Sequence, residues 1–467
     1  MLLSPDPSSM RTRLRRFWQR SPCTVLFLGI CLLWLEFALV SLPDYGLTWD
    51  EPWELLYGDR LLHFLWSWDW SCFDFTTARL ESYHAPQQPD LFRAVNMFAD
   101  NDLRRAPYLI WPLPSLLAAL SHGLFSVAIP LLPGIEAYHL APVIGGLLTI
   151  VVCWYFTRQL FGSFTACVAA LFLALSPRWF AHSHFNHKDV WTTFFFTWSG
   201  FRLLQLILAQ KRPSVKTAAV TGGILGLGLA CKPNLLFLGP VLLPVVIADL
   251  LASDSRLRSW GWRYSLTMVM ILGLCSMIGM LLFWPLLLRN FPDNLIAYGM
   301  SIWERGHTSG GLSFASHWRA LYLFWATQPP FSLLAMVAAI PMCWRMLRLR
   351  RQLRLPALFV LSWFTVTLLR VSLPGARDFD GIRHWLEILP AAAILGGLGI
   401  DYLFLWMWRF KSRLARPVSS RVSLLIAFFL CLAGLLPTAV YAWRIHPHQI
   451  VYFNKVSGGI HWAAKHF

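Results

Sequence analysis

Uncharged apolar stretches close to twenty residues long recur along this chain, as from Val422 to Val440, with shorter ones such as Phe359 to Leu369 between them. A helix of about twenty residues matches the roughly 30 Å of hydrocarbon in a bilayer. Helices are the expected spanning element, because lipid offers no partner to an unpaired backbone amide. Composition agrees: 57% of the 467 residues are hydrophobic and 13% are charged, where a soluble domain carries about a quarter charged residues. The pattern predicts an all-α integral membrane protein.

The formal net charge of +17 invites a nucleic-acid reading, and the distribution of charge rejects it. Basic residues gather in short segments between apolar runs: Arg11 to Arg20, Arg202 to Lys216, Arg256 to Arg263, Arg345 to Arg354 and Arg409 to Arg421. That is the cytoplasmic bias of Lys and Arg in membrane proteins. Acidic residues sort the other way, with 11 of the 23 between Asp44 and Asp102, so one large acidic loop faces outward. Eight of the nine cysteines sit in or beside apolar runs, and Cys72 alone lies well inside that loop, where an intrachain disulfide lacks a partner. The first apolar segment has no small-x-small cleavage site and reads as an uncleaved anchor.

Parity then sets the spans. With a basic cytoplasmic tail at 1–22, a first helix near 23–42 exits to the outer face and a first outer loop follows at 43–106. Further apolar stretches lie near 107–133, 138–161, 163–181 and 190–209, ahead of the basic loop ending at Lys216. If all four crossed, that loop would lie outside. The stretch 107–133 carries five prolines, which makes it the poorest continuous helix, and it is expected to lie along or dip into the outer face. Spans near 217–231, 235–252, 264–288, 331–347, 357–372, 386–408 and 422–443 complete about eleven crossings. The multi-pass region therefore runs over 23–443, with a short outer tail at 444–467. No internal repeat or inverted pair of halves is visible.

Three outer segments can carry chemistry. LTWDEPWELLYGDR places Asp50 and Glu51 just beyond the first helix. An ionised carboxylate there can take a proton from a hydroxyl, or it can merely complement a helix dipole. Adjacent helical residues point about 100° apart, so the two acids are expected to do different jobs. LSPRWFAHSHFNHKDVWTTFFF packs Arg178, His182, His184, His187, Lys188 and Asp189 at a membrane boundary, where ionisable groups must pair or serve a site. The histidine spacing matches no recognised zinc motif. Lys232 in GLGLACKPN and Arg377, Asp378, Asp380, Arg383 and His384 in GARDFDGIRHW add cations on the same face. Such donors suit phosphate, though a lone interface lysine can simply snorkel. Glu36 and Asp401, within spans, are expected to face the bundle without catalytic role.

This order of segments resembles the membrane glycosyltransferases of the GT-C fold, which include protein O-mannosyltransferases and the aminoarabinose transferase acting on lipid A. The resemblance covers nearly the whole chain. WDEPW resembles the acidic opening of the family's first outer loop, and SPRWFAHSHFNHKDVW resembles its second-loop segment. GIRHWLEILP and HQIVYFNKVSGG resemble stretches of bacterial relatives.

The resemblance implies GT-C-type architecture, with juxtamembrane helices in the long first loop. It also implies a bacterial inner-membrane location with the active site on the outer face, and transfer with inversion from a polyprenyl-phosphate sugar donor to a lipid, glycan or protein acceptor. Asp50 would be the base, Glu51 its support, and Asp189 a second acid near the donor. Lys232, Arg383, Lys188 and His384 would meet the donor phosphate. Some members of the wider fold use a divalent metal and others do not, and no other cofactor is implied. Many relatives carry a soluble domain after the last helix, whereas this sequence ends soon after Gly459.

Two other readings stand beside this one. A transporter or flippase of a lipid-linked or anionic substrate would favour ionisable residues through the span centres and broken helices at midplane. A non-catalytic scaffold could keep the fold alone.

Overall fold

The computed structural model describes residues 22–48, 50–75, 109–306, 314–349, 351–373, 381–411 and 420–466. The described chain is helical throughout and contains no strand. It begins with α1 (Pro22–Val40), α2 (Glu51–Ser67), α3 (Pro112–His122), α4 (Gly134–Phe161), α5 (Ser163–Ala174), α6 (Pro177–Phe185), α7 (His187–Leu208) and α8 (Val215–Leu229). Next come α9 (Leu238–Leu250), α10 (Arg256–Trp260), α11 (Trp262–Leu281), α12 (Pro285–Arg289), α13 (Asp293–Gly306), α14 (Phe314–Thr327), α15 (Pro330–Ala338) and α16 (Ile340–Leu349). The last are α17 (Arg351–Ser372), α18 (Ile388–Lys411), α19 (Ser420–Arg444) and α20 (Gly459–His466).

Eight helical stretches among the described residues are long and apolar enough to cross a bilayer: Pro22–Val40, Gly134–Phe161, Pro233–Leu250, Trp262–Leu281, Pro330–Leu349, Gln352–Ser372, Ile388–Met407 and Leu425–Arg444. Together α5 and α6 make a further apolar pair, bent by 64°. The bend falls at Pro177, whose ring cannot continue a helix, and the Ser176 side chain caps the new start by accepting from the Trp179 amide. A continuous span over 163–181 is therefore replaced by a broken one, which delivers Arg178, His182 and His184 to a separate short helix. Helices α7 and α8 stand where the two remaining crossings are expected.

Helix α18 is the most buried of these spans and α11 the least. The four described prolines of 107–133 flank a helix rather than break it. Pro112 and Pro114 occupy the first turn of α3, where no intrahelical amide bond is lost, and Pro130 and Pro133 follow its π-helical extension Gly123–Ala128. Glu36 corrects its expected position. The buried stripe of α1 is Phe27, Ile30, Trp34 and Ala38, so helical spacing turns Glu36 outward, and it is exposed. Asp401 does meet the bundle, accepting from the Thr165 hydroxyl at 3.3 Å.

A second apolar core sits apart from the main one. Trp53, Leu56, Tyr57, Leu61 and Phe64 of α2 pack with Leu116 of α3, Leu286 and Leu287 of α12, and Tyr298 of α13. Gly58 makes this possible, since a Cβ there would lie 2.1 Å from the Ser115 carbonyl oxygen. Helices α2 and α3 thus lie in backbone contact and form a cap. The tail after α19 joins the same end of the molecule. Arg178 donates to the Tyr452 carbonyl at 3.2 Å, and the Asn454 amide side chain donates to the carbonyls of Trp325 and Gln328.

Candidate functional site

The cap meets the bundle where the start of α2 faces the start of α7. Glu51 ties down the α2 end. Its Oε2 accepts from the Thr48 amide and its Oε1 lies 2.8 Å from His139 Nε2 on α4, leaving the residue 2% exposed. Asp50 precedes the helix without capping it, so its carboxylate is free to turn towards α7. There the Asn186 side chain caps α7 by accepting from the Asp189 amide. His187, Lys188 and Asp189 consequently occupy its first turn, all buried.

Two neighbouring groups of charged side chains follow. Lys188 Nζ lies 2.8 Å from Asp50 Oδ2 and 2.6 Å from Glu54 Oε1. Arg383 Nη2, on the turn Gly381–Trp385, reaches the same Asp50 Oδ2 at 2.9 Å. Both cations use one oxygen, so Asp50 Oδ1 keeps no hydrogen-bond partner among the described residues, and the side chain is 31% exposed. The other oxygen of Glu54 lies 2.7 Å from His187 Nε2. Deeper in, Lys232 Nζ lies 2.6 Å from Asp189 Oδ1 and 3.1 Å from His384 Nδ1. Asp189 Oδ2 is buried and unpartnered among the described residues. The Trp111 ring joins the two halves, with Lys188 Nζ and Lys232 Nζ each 5.7 Å from its centre, and Tyr298 accepts from its indole.

These contacts fix the charge states. Burial pushes the Asp50 carboxyl up, but Lys188 and Arg383 outweigh it and hold it at about 2. Burial likewise opposes ionisation of Asp189, and Lys232 overrides it, keeping that carboxyl well below the usual range. Glu54 stays ionised through Lys188 and His187 against the same penalty, and it raises His187 in return. Burial, reinforced by Lys232, drives His384 down to about 3, so its ring is neutral. An ammonium can only donate, hence His384 Nδ1 accepts from Lys232 and the ring proton sits on Nε2. Behind His384, Arg370 donates to its carbonyl and pairs with Glu387 at 2.6 Å, while Asn234 bonds both.

Of the seven residues given site roles in the sequence, six fall into one constellation of two groups. Asp50, Lys188 and Arg383 form one group and Asp189, Lys232 and His384 the other, while Glu51 points away into the α2–α4 contact. Arg377, Asp378 and Asp380 lie outside the described residues. His182, His184 and His187 diverge. His182 accepts from Asn186, His184 bonds the Phe180 and Ala38 carbonyls, and His187 faces Glu54. Among the described residues no group of three or more His, Cys, Asp or Glu side chains is placed to hold a metal ion. Cys72 is a free thiol, buried beside His63.

Five neighbours of the candidate site escaped the sequence reading: Glu54, His139, Trp111, Arg370 and Glu387. Only Glu54 left a signal, its spacing of four from Asp50, which puts both on one helix face.

The family described as dolichyl-phosphate-mannose-protein mannosyltransferase matches residues 112–288, a range that holds Lys188, Asp189 and Lys232 but not Asp50 or Arg383. No curated protein matches the chain. ArnT from Cupriavidus metallidurans bound to undecaprenyl phosphate superposes with a TM-score of 0.55 at 18% identity, covering 91% of this chain and 75% of that one. The apo form of the same ArnT gives 0.53 at 19%, covering 90% and 74%. The apo oligosaccharyltransferase of Archaeoglobus fulgidus gives 0.55 at 15%, covering 91% of this chain and 56% of that one. The chain thus has the GT-C-type membrane fold of these proteins.

Proposed function

We propose that this protein is a membrane glycosyltransferase, moving a hexosyl or pentosyl group from a polyprenyl-phosphate-linked donor to an acceptor hydroxyl or phosphate at the non-cytoplasmic face of a bacterial inner membrane. One observation carries the reading: a carboxylate gripped by two cations through Oδ2 while Oδ1 has no partner among the described residues, beside a second buried acid–cation pair. The shared fold and the undecaprenyl phosphate in one ArnT structure support the donor class.

In the reaction the acceptor oxygen bonds to the anomeric carbon from the side opposite the phosphate. The carbon–oxygen bond to polyprenyl phosphate breaks, its electron pair stays on the phosphate, and configuration inverts. The acceptor proton passes to Asp50 Oδ1. Lys188, Arg383 and Lys232 stabilise the charge developing on the leaving phosphate. Glu51, through His139, holds the start of α2 and so orients Asp50. Asp189 Oδ2 accepts a hydroxyl of the donor sugar, and the neutral His384 keeps Lys232 in place.

At a pKa near 2 the resting Asp50 is a weak base. A donor phosphate competes for the same two cations, draws them from Oδ2 and raises the basicity of the carboxylate. Donor binding therefore precedes activation of the acceptor.

The test is purified protein in lipid with labelled polyprenyl-phosphate sugars, wild type against Asp50→Asn. Release of polyprenyl phosphate that disappears in the variant supports the transferase. Saturable donor binding or flipping that survives Asp50→Asn, with no turnover of any donor, supports a flippase instead.

A further inference from the structure

We infer that Glu54 is a positioning residue for this transfer, which holds Lys188 in the site once Asp50 has taken the acceptor proton and which works as one unit with His187. The inference rests on the transferase reading above.

Before the reaction the Lys188 ammonium has two carboxylate partners, Asp50 at 2.8 Å and Glu54 at 2.6 Å. Its side chain is 9% exposed, so water cannot replace a lost partner. When the proton arrives on Asp50, that carboxyl becomes neutral and the formal charge it carried has moved to the leaving phosphate. Lys188 must then turn from one to the other without becoming an isolated buried cation, a state that is strongly unfavourable. Glu54 provides the fixed point. It lies one turn along α2 from Asp50, on the same face, and its carboxylate is 12% exposed.

His187 explains why Glu54 does not simply capture the lysine. Its Nε2 lies 2.7 Å from the second Glu54 oxygen, so the carboxylate has Lys188 on one side and the imidazole on the other. The groups facing His187 are Glu54 and Glu51 from α2 and its neighbour Lys188. The two acids outnumber the one cation, and an imidazolium is the form that fits. Across the described cluster Asp50, Glu51, Glu54 and Asp189 face Lys188, Lys232 and Arg383. A protonated His187 brings these groups to neutrality, so the Glu54 charge is not left in excess.

Replacing Glu54 by Gln keeps shape and removes the charge. Lys188 then has Asp50 as its only carboxylate, which both weakens the base and opposes its protonation. Glu54→Gln is expected to lower kcat about 10–100-fold, the equivalent of about 1.4 kcal/mol per tenfold step in rate, while donor KM moves less than about threefold. His187→Gln should lower kcat less, and the double variant should be no worse than Glu54→Gln alone. A packing role for Glu54 would instead lower the thermal midpoint, leave kcat per folded molecule intact, and add its loss to that of His187→Gln. Wild-type kcat in folded Glu54→Gln, or additive losses, overturns the inference. If Glu54→Gln does not fold, Glu54→Asp serves in its place. Its retracted carboxylate should reduce kcat and still be non-additive with His187→Gln, and full activity overturns the inference as well. The wild type is run in parallel, and its failure with every donor would strike the transferase reading rather than Glu54.

Discussion

Helices α8 and α11 touch through their backbones, whereas α2 and α7 touch through charges. A Cβ on Gly226 would lie 2.2 Å from the Ser276 carbonyl oxygen, and one on Gly222 would lie 2.5 Å from that of Leu272. Small residues allow such approach, and in lipid close packing is a main source of helix association. Where the cap meets the bundle, Asp50, Glu54 and Asp189 meet Lys188, Lys232 and Arg383 through side chains. The first contact forbids an added atom and is indifferent to charge. The second tolerates a change of shape and forbids an unpaired charge. The two contacts therefore answer to different kinds of substitution, and variants can separate them.

The largest effect is expected at Lys232. Lys232→Met strands the buried Asp189 carboxylate, a loss of roughly 3–5 kcal/mol by analogy with broken buried pairs, read as a fall in the thermal midpoint in detergent. Adding Asp189→Asn should restore much of that midpoint without restoring turnover. An unchanged midpoint in the single variant would mean that the pair carries no stability.

Asp50→Asn should do the reverse. The carboxylate is partly exposed, so stability changes little, while turnover falls about 10²–10⁴-fold, as for loss of a general base. A variant that loses its fold instead would erase the contrast between the two contacts.

In the bundle, Gly226→Leu inserts a side chain into a backbone contact. Overpacking of this kind costs about 1–3 kcal/mol, so the thermal midpoint should drop while kcat per folded molecule stays at the wild-type level. A loss of kcat without a loss of stability would tie α8 to the site.

The smallest effect is in the pH profile. Asp50 must be ionised to accept a proton, so activity falls as pH drops through its pKa. In the free protein Lys188 and Arg383 hold that value at about 2, and kcat/KM should report it. In the donor complex the phosphate shares those cations and the value rises towards the ordinary Asp range near about 4. The acid limb of kcat should therefore lie at higher pH than that of kcat/KM. Coincident limbs would sink the idea that the donor unlocks the base.

Periodicity and length made the bundle legible, because a span announces itself locally in an uncharged run such as Val422 to Val440. Local reading erred where position depends on direction. Glu36 was placed towards the bundle, yet the stripe through Ile30, Trp34 and Ala38 turns it outward. Within 107–133, Pro112 and Pro114 start a short helix and Pro130 and Pro133 follow it, a placement that composition alone did not give.

By itself the sequence determined a multi-pass helical membrane chain, the stretches able to cross, and which acids and cations gather outside the apolar runs, since each follows from the chemistry of neighbouring residues. Only the tertiary structure decided which charge meets which. Lys188 and Asp50 are 138 positions apart, and Lys232 and Asp189 are 43 apart. Nothing in spacing says that Asp50 takes two cations on one oxygen, or that Glu51 turns to His139 while Glu54 turns to Lys188. Those pairings depend on the angle at which α2 lies across the start of α7, and that angle is set by the packing of the cap, with Gly58 against Ser115.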